Sequence, residues 1–230
     1  MKFIIVGLGN FGAYLAARLT DKGHEVIGID SDMAKVENAK DNITHTICLN
    51  ATDKNVVKNL PISDTDVVLI AIGEDMGASI MATAVFKELK ARRIISRSIT
   101  NTHETVIRAI GVDEIIHPEE ETAERLSKKL EMKGVIDSFD ISDGYNIVEV
   151  TAPKEFVGQT IGETAVRNRF NVNILTIIKM RNRPNIFGNM QERQKVMGVV
   201  SAQTVIEDND ILVLFGEIND IQKILDLNEE

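Results

Sequence analysis

The chain has 230 residues, 43% hydrophobic and 27% charged, with a formal net charge of −9. That suits one large or two small globular domains and excludes a disordered, collagen-like or disulfide-framed protein. Its one cysteine, Cys48, permits no intrachain bridge and fits a reducing compartment. No apolar run approaches the ~20 residues that span a bilayer, and Phe3–Leu8 is too short for a secretory segment, so a cytoplasmic chain without direct membrane insertion is expected. The excess of acids argues against nucleic acid or an anionic membrane as a partner, because nothing global would neutralise phosphates.

Through the first half, short apolar runs alternate with helical patterns, the mark of βαβ units around a parallel sheet. Lys2 to Val6 reads as a buried strand, after which Phe11, Leu15 and Leu19 recur at helical spacing until Gly23. Glu25 to Ile29 is a second strand, and Ser31 or Asp32 can cap a helix carrying Met33, Val36 and Ala39 on one side. Thr46 to Leu49 is a third, followed by a short helix from Asp53 that Pro61 ends. Asp66 to Ile72 is the clearest buried strand, and the helix behind it shows Ile80, Met81, Ala84 and Val85 as its apolar stripe. Arg93 to Ser96, a helix from Thr102 to Ile110 closed by Gly111, and Glu114 to Ile116 complete six strand–helix repeats.

Pro118 sits well at a first helical position. The segment behind it has Glu119, Glu120 and Glu121 in its first turn and Lys128, Lys129 and Lys133 in its last, with Gly134 just beyond. That charge order complements the helix dipole. Its narrow apolar face (Ala123, Leu126, Leu130) suits a linking or subunit-crossing helix as well as an ordinary surface one. From Val135 the texture changes. Val148 and Val150 alternate with Glu149 and Thr151, Thr160–Glu163 fits a capping box, and Val172 to Ile178 is strand-like. Residues 180–195 read as a polar loop, Val196 to Val200 and Ile211 to Phe215 as strands, and Ile218, Ile221, Ile224 and Leu225 mark a terminal helix. The expected organisation is a doubly wound α/β domain over residues 1–134, including a crossover helix at 119–133, then a small α+β domain over 135–230.

Gly7-Leu8-Gly9-Asn10-Phe11-Gly12 matches G-x-G-x-x-G, and it follows a strand and opens a helix, as the mechanism of that motif requires. The first glycine turns the chain, the second lets a phosphate approach the backbone, and the third lets helix and strand pack closely. Amides of Asn10, Phe11 and Gly12 at the helix N-terminus can then hold phosphates. Asp30 ends the second strand, where its carboxylate can accept both ribose hydroxyls and would repel the 2′-phosphate of NADP. Topology adds the carboxyl ends of the other strands: Ser31, Asn50, Ala51, Thr52, Asp53, Ala71, Ile72, Gly73, Glu74 and Arg97. Asp32 and Asp53 serve equally well as helix caps, and Arg97 could balance phosphate charge or face solvent. Adenine-nucleotide binding is the inference.

A dehydrogenase of this design needs a second domain with an acid/base and a substrate anchor. The histidines His24, His45, His103 and His117 all precede Gly134, and there is no H-E-x-x-H, C-x-x-C or G-x-S-x-G. With no residue marked as catalytic, a sensor is favoured over the alternative, an NAD-dependent oxidoreductase with a small substrate domain. Glu119 has two readings, an acid aimed at a nucleotide or divalent cation and a plain first-turn acid. The basic run of Lys179, Arg181, Arg183, Arg193 and Lys195 reads by default as a solvated hairpin loop, with a phosphate or partner as the alternative.

The assembled residues resemble the RCK family (regulators of potassium conductance) of the TrkA/KtrA type. The carriers are residues 4–12, Gly23 to Asp30, Ala51-Thr52-Asp53, Ala71-Ile72-Gly73 and Gly111-Val112-Asp113-Glu114-Ile115-Ile116-His117-Pro118-Glu119. In the second half, Phe156 to Gly162 and Arg167 to Asn173 are similar to the C-terminal RCK module. The resemblance implies a regulatory subunit on the cytoplasmic side that docks on a membrane potassium channel or transporter. It implies homodimers assembled into a ring and NAD(H), ADP or ATP in the Rossmann half. By the same resemblance Gly7, Gly9 and Gly12 hold phosphates, Asp30 holds the ribose, and Glu119 helps place a divalent cation near the dimer interface. Asn10 stands where ATP-responsive members carry an arginine, which weakens ATP and keeps NAD(H) and ADP open. Some relatives bind cyclic di-AMP between C-terminal modules, and Arg169 to Ile178 occupies the corresponding region.

Overall fold

The computed structural model describes residues 1–132, 134–184 and 190–227, with backbone alone for 181–184 and 190–193. The chain forms two compact units, Met1–Pro118 and Glu119–Glu230, so the helix after Pro118 groups with the second unit.

The first unit alternates strands β1 (Lys2–Val6), β2 (Glu25–Asp30), β3 (His45–Cys48), β4 (Val67–Ile70), β5 (Ile94–Arg97) and β6 (Glu114–Ile116) with helices. The helices are α1 (Asn10–Asp21), α2 (Met33–Ala39), α3 (Lys54–Val57), α4 (Met76–Glu88) and α5 (Asn101–Ile110). All strand pairs are parallel, in the order β3-β2-β1-β4-β5-β6. Both sheet faces are buried, as a parallel sheet between helices demands. Ile4 and Val6 join Ala82, Val85 and Phe86 on one face, while Ile5 meets Ala16, Val36 and Ala39 on the other.

Two helices differ from expectation in which side they bury. Met33 is exposed at the start of α2, although Val36 and Ala39 are buried. In α4 the buried positions are Ser79, Ala82, Thr83, Val85 and Phe86, and Met81 faces solvent. Apolar periodicity misjudged α4 because two of its inward positions carry hydroxyls. The Thr83 hydroxyl donates to the Ser79 carbonyl at 2.8 Å, which satisfies it without water.

The second unit begins with α6 (Pro118–Glu131) and β7 (Val135–Ser142), followed by β8 (Tyr145–Thr151), α7 (Ile161–Thr164) and α8 (Val166–Phe170). It continues with β9 (Asn173–Pro184), β10 (Met190–Val196), β11 (Ile211–Glu217) and α9 (Ile218–Asp226). The sheet is antiparallel, ordered β10-β9-β11-β8-β7. Val148, Val150, Leu212 and Leu214 pack with Phe156, Ile221 and Ile224 in its core. The Thr160–Glu163 capping box is present in full.

Residues 180–195, expected as a polar loop, instead lie largely in strands. β9 and β10 pair from Lys179↔Lys195 out to Pro184↔Met190, with residues 185–189 outside the described set. β10 pairs with β9, and its residues 194–196 are exposed, so no apolar alternation there betrays it. Nor does a strand run to Val200. It stops at Val196, Gly198 adopts a left-handed φ of +76°, and Val199 is fully exposed. Strand β7 was not legible because register shifts at Val135/Asp137 and Asp140/Ser142 interrupt its period of two. Lys133 and the side chains of Arg181, Arg183 and Arg193 lie outside the described residues.

A buried ion pair ties β9 to the segment just before β11. Lys179 Nζ stands 3.3 Å from Asp210 and 2.8 Å from Glu207, with the Lys179 and Asp210 side chains 8% and 3% exposed. Lys179→Met should destabilise the second unit by roughly 3–5 kcal/mol, because Asp210 would stay buried without its cation. Lys179→Met combined with Asp210→Asn should recover much of that loss in denaturant unfolding.

Candidate functional site

In the order β3-β2-β1-β4-β5-β6, connections leave β1 toward β2 on one side and reach β4 on the other. The crevice at the carboxyl ends of β1 and β4 is therefore the switch point where such sheets take ligands. The glycine turn enters it. Gly7 has a φ of +96°, open to glycine and strained for other residues. A Cβ on Gly12 would overlap the Gly7 carbonyl oxygen, whereas one on Gly9 would meet nothing within 4 Å. The third glycine thus serves packing, and the second presents bare backbone to open space, which is the room a phosphate needs.

Of the helices between Asn10 and Ile110, four are capped by a side chain: α2 by Asp32, α3 by Asp53, α4 by Asp75 and α5 by Thr100. Helix α1 has none, its N-cap being Gly9. Its first-turn amides, including those of Asn10, Phe11 and Gly12, are left to an outside acceptor, and the dipole favours an anion there.

Asp30 closes β2 half-buried. Its Oδ2 accepts the Leu8 amide at 2.7 Å and its Oδ1 the Asp32 amide at 2.9 Å. Each oxygen keeps a second lone pair, so the carboxylate is already oriented and can still accept two hydroxyls. Asp32 and Asp53 cap α2 and α3 through Ala34 and Asn55 amides. Ser31 is exposed, and its carbonyl lies 3.5 Å from Cys48 Sγ. After β3, the Asn50 side chain accepts from the Thr52 amide at 3.0 Å and its hydroxyl at 2.8 Å, with Ala51 buried beneath. This local turn shapes the outer rim beyond β2.

On the β4 side, the Ala71 amide continues the ladder to the Val6 carbonyl at 2.7 Å, and Ile72 and Gly73 follow. Arg97, at the end of β5, lies across Gly73 so closely that a Cβ there would collide with its guanidinium. Its Nη1 is 3.5 Å from the Ala71 carbonyl, and its guanidinium carbon is 6.0 Å from the Phe11 ring centroid. A cation thus stands beside the glycine turn, although Asn10 carries none. The turn after Arg97 is held by His103, which is fully buried; its Nδ1 accepts the Ile99 amide at 3.2 Å. Nε2 has no hydrogen-bond partner among the described residues, and burial lowers the imidazole pKa from its ordinary value.

Glycine turn, Asp30, Ala71–Gly73 and Arg97 therefore converge on one crevice, with Asn50–Thr52 at its rim. Lys35 was not legible in the sequence. It lines a groove of about 500 Å³ with Leu8, Gly9, Asn10 and Glu74, yet no spacing rule points to a lysine in the first turn of α2. Glu119 is exposed in the first turn of α6. Among the described residues no group of three or more His, Cys, Asp or Glu is placed to hold a metal ion. Nor is any described helix long and apolar enough to cross a membrane.

A Rossmann-type domain with a glycine turn at its switch point, followed by a small antiparallel α+β unit, defines the class by fold: a two-domain chain that joins a doubly wound parallel sheet to a second, antiparallel one. The TrkA-N domain model matches residues 3–118 and the TrkA-C domain model residues 147–228, so the chain belongs to the TrkA family. It is 31% identical over 222 residues to the Ktr system potassium uptake protein C of Bacillus subtilis (strain 168), covering 96% of this chain and 95% of that protein. The GsuK RCK domain superimposes with a TM-score of 0.64 at 17% identity, covering 100% of this chain and 48% of that one. The GsuK channel bound to NAD gives 0.62 at 16%, covering 97% and 39%. The chain spans less than half of either GsuK chain, and this likeness is one of fold.

With a pKa lowered below the 6.5 of a free imidazole, His103 binds fewer protons folded than unfolded. Stability should therefore fall as pH drops from about 6.5 toward the folded value. Thermal unfolding at about pH 7.5 and about pH 5.5 should show this loss in the native chain and a smaller one in His103→Asn, whose amide oxygen can replace Nδ1.

Proposed function

We propose that the chain is a nucleotide-responsive regulatory subunit of a potassium-uptake system, binding an adenine nucleotide in its Rossmann unit and catalysing no reaction. The observation that carries this is the uncapped terminus of α1 behind an open Gly9, beside the doubly anchored carboxylate of Asp30. Such a site offers amides for phosphates and two acceptor positions for a ribose. Arg97 adds positive charge at the far lip. NAD(H) and ADP fit best, because Asn10 brings no cation for a terminal phosphate and Asp30 disfavours the 2′-phosphate of NADP. Likeness to a Ktr potassium uptake protein and to a channel bound to NAD supports the reading.

Binding would work by selecting one geometry of a homo-oligomer, a ring of dimers, attached to a membrane channel or transporter. The chain would then lie at the cytoplasmic face of the membrane through its partner. The nucleotide can shift that balance only by its differential affinity for the two geometries, and moving it from 1:99 to 99:1 takes about 5.5 kcal/mol, divisible among the sites of a ring. Glu119 acts in this reading as a cation ligand completed by a second copy.

Calorimetric titration with NAD, NADH, ADP, ATP and NADP tests the site. Asp30→Ala should weaken NAD roughly ten- to hundredfold, the loss expected for charge-assisted hydrogen bonds, while the melting transition persists. NADP should bind more weakly than NAD. Unchanged affinity in Asp30→Ala, or steady turnover of NAD with a metabolite, overturns the proposal.

A further inference from the structure

Across the glycine turn runs an ion pair that the nucleotide reading alone does not use. Lys35, in the first turn of α2, donates to Glu74 Oε2 at 3.2 Å. Glu74 follows β4, and β1 lies between β2 and β4, so the pair joins the two lips of the crevice over the β1–α1 turn. Both residues line the same groove as Leu8, Gly9 and Asn10. Their exposures are unequal: the Lys35 side chain is 34% exposed and the Glu74 side chain 85%. The hydrogen bond to Glu74, with Asp30 and Asp32 nearby, raises the Lys35 pKa above its ordinary value, so the ammonium stays charged.

We propose that Lys35 exchanges Glu74 for the phosphates of the bound nucleotide, and that Glu74 then discriminates against ligands of higher phosphate charge. The proposal rests on nucleotide binding at the glycine turn and names which nucleotides the site admits. An exposed pair contributes little to the fold, so releasing Glu74 costs little. A phosphate oxygen gives Lys35 a charge-assisted bond in exchange. The displaced carboxylate remains on the lip with no change in its own charge, and it repels each further negative charge brought to α1. A pyrophosphate diester, whose phosphates are both esterified, meets the least of that repulsion. A nucleoside triphosphate meets the most. Asp30 and Arg97 hold the ribose and far side in either case, so the selection falls on the charge of the phosphate chain.

The test is a titration of the full chain with adenosine, NAD, ADP and ATP, repeated for Glu74→Gln and Lys35→Gln, with melting curves for each. Glu74→Gln should tighten ATP about tenfold, ADP about threefold and NAD less than twofold, the order that screened charge repulsion sets. Lys35→Gln should weaken NAD, ADP and ATP about tenfold and leave adenosine unchanged. Equal shifts for all ligands in Glu74→Gln, or an equal loss for adenosine in Lys35→Gln, overturns the charge selection. If native protein binds nucleotides and Asp30→Ala does not, yet neither substitution sorts ligands by charge, this inference alone fails. Native protein that binds none of them overturns both readings.

Discussion

The close approach of Gly12 to the Gly7 carbonyl is the constraint on which the crevice depends. It sets the start of α1 against the end of β1, and the left-handed Gly7 turns the chain so that the first amides of the helix face the switch point. Any side chain at Gly12 would push α1 away and disperse those amides. The other helices of the unit satisfy their own termini with Asp32, Asp53, Asp75 and Thr100. That contrast sets α1 apart from α2, α3, α4 and α5 as a start with no side-chain cap.

Much of the first unit could be read from residues alone, because its physics is local and periodic. Six apolar runs, the glycine spacing and the carboxylate ending β2 are one-dimensional signals, and the strands and the turn lie where they predict. Which side of a helix faces inward was less legible. Thr83 is buried with its hydroxyl donating to the Ser79 carbonyl, a compensation that hydropathy does not register, and Ser79 is small enough to bury beside it, while Met81 stands in solvent.

The second unit yielded less, for a different reason. Its edge strands β7 and β10 pair with β8 and β9, and β7 buries only Val135 and the polar Ser138. Register shifts break the first pattern, and the exposed Gln194, Lys195 and Val196 give the second no apolar alternation. The Lys35–Glu74 pair was invisible on similar grounds: it joins residues from separate βα connections, and only the strand order brings them together. Contacts made by topology leave no trace in spacing.

The two amides on Asp30 have a consequence for how a ligand could be sensed. A carboxylate held by Leu8 and Asp32 before anything arrives loses little freedom when it takes a ribose, and it has no second pose to abandon. On the proposed reading the adenosine end is a fixed mooring, indifferent to what hangs from it. Whatever difference the protein registers between one adenylate and another has to be felt further along the ligand, where the chain's own charges can rearrange.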